Sequence, residues 1–146
     1  MTAAMIDGEA IERQVLAGLK SFQRATVDYV FQRMYTDPDP ATRFLVADEV
    51  GLGKTLVARG LIARVIKYHQ AIGTERIDIV YICSNADIAT QNVARLNVTG
   101  QKAFAKATRL TLLPLEVHDL QGQDINFISF TPGTTFDHGR RSGHKL

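Results

Sequence analysis

Eight consecutive residues restrict this chain more than any others: Asp48-Glu49-Val50-Gly51-Leu52-Gly53-Lys54-Thr55. They stand between the apolar run Phe44-Leu45-Val46-Ala47 and a stretch of helical periodicity that begins near Lys54. A glycine-containing turn between a strand and a helix brings backbone amides and the positive helix end to one point, which suits an anion. In the phosphate-binding pattern G-x-x-x-x-G-K-[ST], the lysine reaches the β- and γ-phosphates and the hydroxyl holds Mg²⁺. Gly53, Lys54 and Thr55 match that pattern directly, whereas Asp48 stands where its first glycine would be.

The residues around the octet predict alternating helices and strands. Ile11, Val15 and Leu19, then Phe22, Val27, Val30, Phe31 and Met34, recur at three- and four-residue steps. That spacing predicts two amphipathic helices hinged near Gly18 to Ser21, with Ser21 as an N-cap. Asp37-Pro38-Asp39-Pro40 ends the second helix, because proline has no amide hydrogen and pushes its predecessor out of the helical region. Phe44–Ala47 lacks polar alternation and predicts a parallel strand covered on both faces. A helix from about Lys54 to His69 follows, with Val57, Leu61, Val65 and Tyr68 along one face. Gly60 weakens it by about 1 kcal/mol relative to alanine, so either close packing needs the missing side chain or the helix tolerates the loss. Gly73 closes this helix, and Ile77–Cys83 predicts a second strand, completing a strand, helix, strand crossover. Ser84 or Asn85 caps a further helix with Ala86, Ala89, Val93 and Leu96 inward, ended by Asn97 to Gly100. Gln101–Thr108 reads as a short turn, Arg109–Leu115 as an edge strand closed by Pro114, and Ile125–Phe130 as a third core strand. The fold class is α/β.

Composition sets the limits. With 146 residues, 45% of them hydrophobic, the chain can bury one core but not two lobes. Seventeen Lys and Arg against fifteen Asp and Glu leave a net charge of +2, which argues neither for nor against nucleic acid. The first residues offer no basic and apolar leader pattern, and no apolar run approaches the roughly 18 residues that span a bilayer. A soluble cytoplasmic protein without a membrane partner is therefore expected. Cys83 stands alone, cannot form an internal disulfide, and reads as a small buried hydrophobe. His138 and His144 lack a third ligand at recognisable spacing, and Ser84, Ser129 and Cys83 lack a base at motif spacing.

The octet resembles motif I of superfamily 2 helicases of the Swi2/Snf2 and related bacterial types, whose habitual form is D-E-x-G-L-G-K-T. In that form Gly51 supplies the flexibility of the missing first glycine, and Asp48-Glu49 belongs to the loop and is not the metal-binding acidic pair. The resemblance implies a P-loop NTPase (RecA-like) fold, a parallel sheet flanked by helices, incomplete here and preceded by a helical segment. Residues 1–40 would be those helices, 41–136 a partial ATP-binding domain and 137–146 a basic, solvated tail. It implies ATP and Mg²⁺ as cofactors, held by Val50, Gly51, Leu52, Gly53, Lys54 and Thr55, with Lys54 and Thr55 in the catalytic role and Thr55 on the metal. Leu19-Lys20-Ser21-Phe22-Gln23 is similar to the family's Q-motif, L-x-x-[YF]-Q, roughly thirty residues before Lys54. That match assigns Gln23 to the adenine edge through its paired donor and acceptor. Ile82-Cys83-Ser84-Asn85 occupies the place of motif Ia, and Thr131-Pro132-Gly133-Thr134-Thr135 that of motif Ib. Ser84, Asn85, Thr131 and Gly133 would then approach a nucleic-acid backbone, double-stranded DNA in preference to RNA. Taken by themselves, the first pair is a helix cap and the second segment a turn.

The resemblance covers only the first part of the family's motif set. Hydrolysis in this class needs an acidic D-E-x-[HD] motif that binds Mg²⁺ and orients the attacking water. None follows Lys54: Glu75, Asp78, Asp87, Glu116, Asp119, Asp124 and Asp137 never form an adjacent pair. A downstream polypeptide or a partner is expected to complete the ATPase, and a half-built sheet would leave an edge open to pairing. Two alternatives stand beside this reading: a non-catalytic remnant that binds nucleotide or a partner, and a small-molecule kinase or GTPase using the same loop.

Overall fold

The structure is a computed structural model and describes residues 6–47, 49, 51–100, 104–106 and 124–131. It is a mixed α/β chain in which α1 (Gly8–Ala17), α2 (Ser21–Phe31) and α3 (Lys54–Ala71) precede β1 (Ile77–Ile82), α4 (Ala86–Leu96), β2 (Phe104–Lys106) and β3 (Ile125–Phe130). A five-residue π-helical segment, Gln32–Thr36, continues α2. The chain divides into two compact units, Met1–Ile77 with Ala94–Lys102, and Asp78–Val93 with Ala103–Leu146. Among the described residues, no helix is long and apolar enough to cross a membrane.

In the first unit, α1 and α2 pack against α3. Asp7 starts α1, its Oδ1 accepting from the amides of Glu9 at 3.0 Å and Ala10 at 3.1 Å, as an N-cap does. Ser21 is the first residue of α2 and not its cap; Lys20 holds that position, and Gln23 reaches back to accept the Lys20 amide at 3.0 Å. A glutamine at the third helical position satisfies the same orphan donor that a serine cap leaves open. The helix ends at Asp37, ahead of Pro38, as the prolines require.

The core of this unit joins Leu19, Val27 and Val57, with Leu16 packed against them. On α3 the buried positions are Val57, Gly60, Ala63 and Ile66, not the predicted Val57, Leu61, Val65 and Tyr68 face. Two of the buried residues are small, so α1 and α2 approach the α3 backbone itself while the bulkier side chains flank the contact. Gly60 is one such close approach: a Cβ there would lie 2.8 Å from Leu19 Cδ1 and 2.9 Å from Val27 Cγ2. The helix thus needs the missing side chain. Phe22 departs from its predicted face and is exposed. At its far end α3 closes on Gly73, at φ +76, with Gly73 N donating to Gln70 O and Thr74 N to His69 O, the paired bonds of a Schellman cap.

Three helices are also tied by charge. The Glu12 carboxylate accepts from Arg64 Nε at 2.8 Å and Lys67 Nζ at 2.7 Å, and Arg64 pairs with Asp28 as well. Burial works against the charge on Glu12, but the Lys67 ammonium and Arg64 guanidinium outweigh it and hold its carboxyl below the ordinary range. The unfolded chain therefore binds that proton more readily than the folded one. The resulting stability is fully present above the ordinary carboxyl value of about 4.3 and is lost as pH falls through the lowered folded value. Glu12→Gln is expected to cost about 1 kcal/mol at pH 7. Thermal midpoints should show the gap between variant and parent closing below about pH 4; a gap unchanged down to pH 2 would reject this account.

The predicted strand at Phe44–Ala47 does not form. Residues 41–47 have no regular structure, and Leu45 is 83% exposed. Phe44 instead meets Tyr29 of α2 edge-on, with ring centroids 5.8 Å apart. Four apolar residues in a row do not choose a partner; here Phe44 alone meets an aromatic ring, and Leu45 stays exposed. The strand, helix, strand crossover predicted through α3 is accordingly absent as such.

In the second unit, three strands form a sheet in the order β1-β3-β2. β2 and β3 run parallel, with Phe104 opposite Phe127, Ala105 opposite Ile128 and Lys106 opposite Ser129. β3 was predicted as a core strand and is the central one; Ile125 through Ser129 are buried in succession, the signature of a strand covered on both faces. β2 replaces part of the turn predicted at Gln101–Thr108. Asn85 caps α4, its Oδ1 accepting from Asp87 N at 2.9 Å and Ile88 N at 3.1 Å, and Ala89 and Val93 are buried as predicted, as is Leu96 on the part of α4 that belongs to the first unit. Cys83 is half-buried, not enclosed, because it follows the last residue of β1, where the amide of Asn85 approaches its sulfur at 3.5 Å. The predicted edge strand Arg109–Leu115 and the tail 137–146 lie outside the described residues.

Candidate functional site

Gly51 to Gly53 lead into α3, which starts at Lys54 as the sequence predicts. Gly51 and Gly53 take φ of +92 and +84, a left-handed conformation that costs glycine little and other residues more. Gly53 is the N-cap of α3, and its carbonyl accepts from Leu56 N at 2.8 Å and Val57 N at 3.1 Å. Lys54 and Thr55 are thus the first two residues of an 18-residue helix, the part whose amides have no intrahelical acceptor and carry the positive end of the dipole. Lys54 is exposed and folds back over the loop, its Nζ donating to Glu49 O at 3.0 Å. The amide of Leu52 approaches the same carbonyl at 3.4 Å. Thr55 is half-buried beside it. Val50 lies outside the described residues.

Gln23 joins the loop from α2. Its side chain is 4% exposed, and its Nε2 donates to Leu52 O at 3.0 Å while Oε1 accepts from Lys20 N. Gly53 lies so close that a Cβ at that position would come within 2.6 Å of Gln23 Nε2. The structure therefore brings together Gln23, Leu52, Gly53 and Lys54, distant in sequence by up to 31 positions, with the carbonyl of Glu49 as the acceptor at the turn. Sequence reasoning found Gln23 through its motif but gave no sign of its bond to Leu52, since a main-chain acceptor leaves no mark on residue type. It also missed Glu12, Arg64 and Lys67, whose partners lie on different helices and share no local spacing.

The remaining candidate residues belong to the second unit and are described by themselves. Ser84 and Asn85 lie between β1 and α4, and both are exposed. Their helix start is already occupied: Asn85 Oδ1 takes two first-turn amides and Asn85 O takes the amide of Ala89. A phosphate docking there would compete with that cap. Thr131 follows β3 directly and is buried, so its side chain does not face solvent. Gly133 lies outside the described residues.

No family model, curated protein or solved structure matches the chain.

Proposed function

We propose that this chain is the ATP-binding part of a helicase-like, nucleic-acid-stimulated ATPase with a RecA-like P-loop fold. One observation carries the reading: two glycines in left-handed conformation lead into a long helix whose first residue is a lysine folded over the turn. The residues present fit a nucleoside polyphosphate with Mg²⁺. Among the described residues, none comes within 4 Å of where a side chain on Gly51 would project. The loop amides and the start of α3 would hold the phosphates, the Lys54 ammonium would exchange its bond to Glu49 O for phosphate oxygens, and the Thr55 hydroxyl would ligate the metal. Mg²⁺ supplies charge neutralisation across the β- and γ-phosphates when bound.

Hydrolysis needs an acidic group to orient water, and no D-E-x-[HD] sequence follows Lys54. The proposal is therefore nucleotide binding by this chain, with turnover requiring a further polypeptide segment or a partner, and with DNA as the stimulating ligand by the form of the octet. The missing acidic motif equally favours a second reading, a remnant that binds nucleotide or a partner without turnover. Calorimetric titration with ATP and Mg²⁺, with hydrolysis assayed on the same sample with and without DNA, separates these outcomes. Binding without turnover is expected. DNA-stimulated turnover would mean that the chain itself supplies the acidic group, and absence of ATP binding would reject both readings.

A further inference from the structure

The amide of Gln23 is committed on both sides. Lys20 N–H can only donate, so Oε1 must face it; Leu52 C=O can only accept, so Nε2 must face that. Each bond is 3.0 Å long, and the orientation of the amide is set by its partners. Gln23 is itself among the most buried polar residues described. Reading the edge of a purine requires the donor and the acceptor of one amide to face the ligand together. Here they face two main-chain atoms, one on α2's N-terminal side and one within the loop.

Gln23 also meets the loop where glycine is required. Any side chain at position 53 would strike Nε2, and Gly53 is both the left-handed residue and the N-cap of α3. From this geometry we infer that Gln23 is a positioning residue for the phosphate loop and does not select the base. By holding Leu52 O, it fixes the peptide that leads into Gly53 and Lys54, so the group whose binding depends on it is the polyphosphate, whatever base is attached. This inference rests on the phosphate-loop reading proposed above. It departs from the adenine-edge role that the Q-motif resemblance assigns to the same residue.

The test compares the full chain and its Gln23→Met variant, in Mg²⁺, for binding of ATP, GTP and inorganic tripolyphosphate by calorimetry. Methionine keeps the buried volume but makes neither hydrogen bond. Loss of the loop bond is expected to weaken all three ligands by about tenfold, leaving their ratios unchanged. Weakening of ATP alone, with GTP and tripolyphosphate retained, would overturn the inference, as would a variant that weakens none of them. Failure of the parent chain to bind either ATP or tripolyphosphate is a separate result, which overturns the phosphate-loop reading itself. Should circular dichroism show Gln23→Met unfolded, Gln23→Glu keeps the shape and suits the third helical position. Its added charge acts on every phosphate ligand, so the readout is the ratio of ATP to tripolyphosphate affinity. An unchanged ratio supports positioning, and a fall in that ratio overturns it.

Discussion

Replacing Lys54 with alanine is expected to lower affinity for ATP with Mg²⁺ by about a hundredfold, with the thermal midpoint unchanged. A lysine ammonium shared between two phosphate groups makes charge-assisted hydrogen bonds worth about 1.5–3 kcal/mol each, and about 3 kcal/mol corresponds to that factor. The fold should not notice the loss. Lys54 is exposed, and its Nζ bond to Glu49 O is at the surface. Calorimetry on the folded variant is the measurement. An unchanged dissociation constant would reject the assignment of the loop, because a ligand held by backbone amides alone would not need the lysine.

The second large effect concerns stability. Gly60→Val is expected to cost about 3 kcal/mol, the upper part of the range for overpacking a closed core. A new Cβ would already lie under 3 Å from Leu19 Cδ1 and Val27 Cγ2. Val27 is 0% exposed and cannot retreat, and a branched residue at 60 adds a second group to the same contact. Gly60→Ala should cost less, since alanine returns about 1 kcal/mol of helix propensity. Thermal melting should place the valine variant roughly 10 °C below the parent. A valine variant as stable as the parent would show that α1 and α2 can move apart, and the close packing on α3 would lose its role.

The helices and the loop entry were legible in the sequence because their signals are local. Prolines after Asp37, glycines at 51, 53 and 73, and the Asn85 cap each act within a few residues, and each appears where it was read. The central strand Ile125–Phe130 was legible because four of its six residues, Ile125, Phe127, Ile128 and Phe130, are large and apolar. What failed depended on partners distant in the chain. The spacing of Leu61, Val65 and Tyr68 points to them as the inner face of α3, while the packing selects Gly60 and Ala63, which only the approach of α1 and α2 could reveal. Phe44–Ala47 looked like a strand because it is an apolar run, yet it stays mostly exposed and makes only the edge contact of Phe44 with Tyr29, since the sequence names no strand for it to pair with.

At the candidate site, Gly51, Gly53, Lys54 and Thr55 were readable as a unit because left-handed turns before a helix start write their backbone requirements into residue type. The bonds from Gln23 to Leu52 O and from Lys54 to Glu49 O were not, since any residue supplies a carbonyl. Ser84 and Asn85 show the converse. Their residue types suit both a phosphate contact and a helix cap, and the structure finds the cap in place.

The end of α3 remote from the loop holds the entry to α1. Gln70 donates from Nε2 to Ile6 O at 2.9 Å and accepts the Gly8 amide on Oε1 at 3.0 Å, so the residues leading into α1 are anchored there. A helix rises about 1.5 Å per residue, which sets Gln70 about 24 Å along the axis from Lys54. A fluorophore attached at Ala10, exposed two residues after Gly8 on α1, would therefore sit toward the far end of the helix from the loop, and would suit binding assays in which the label must not touch the ligand.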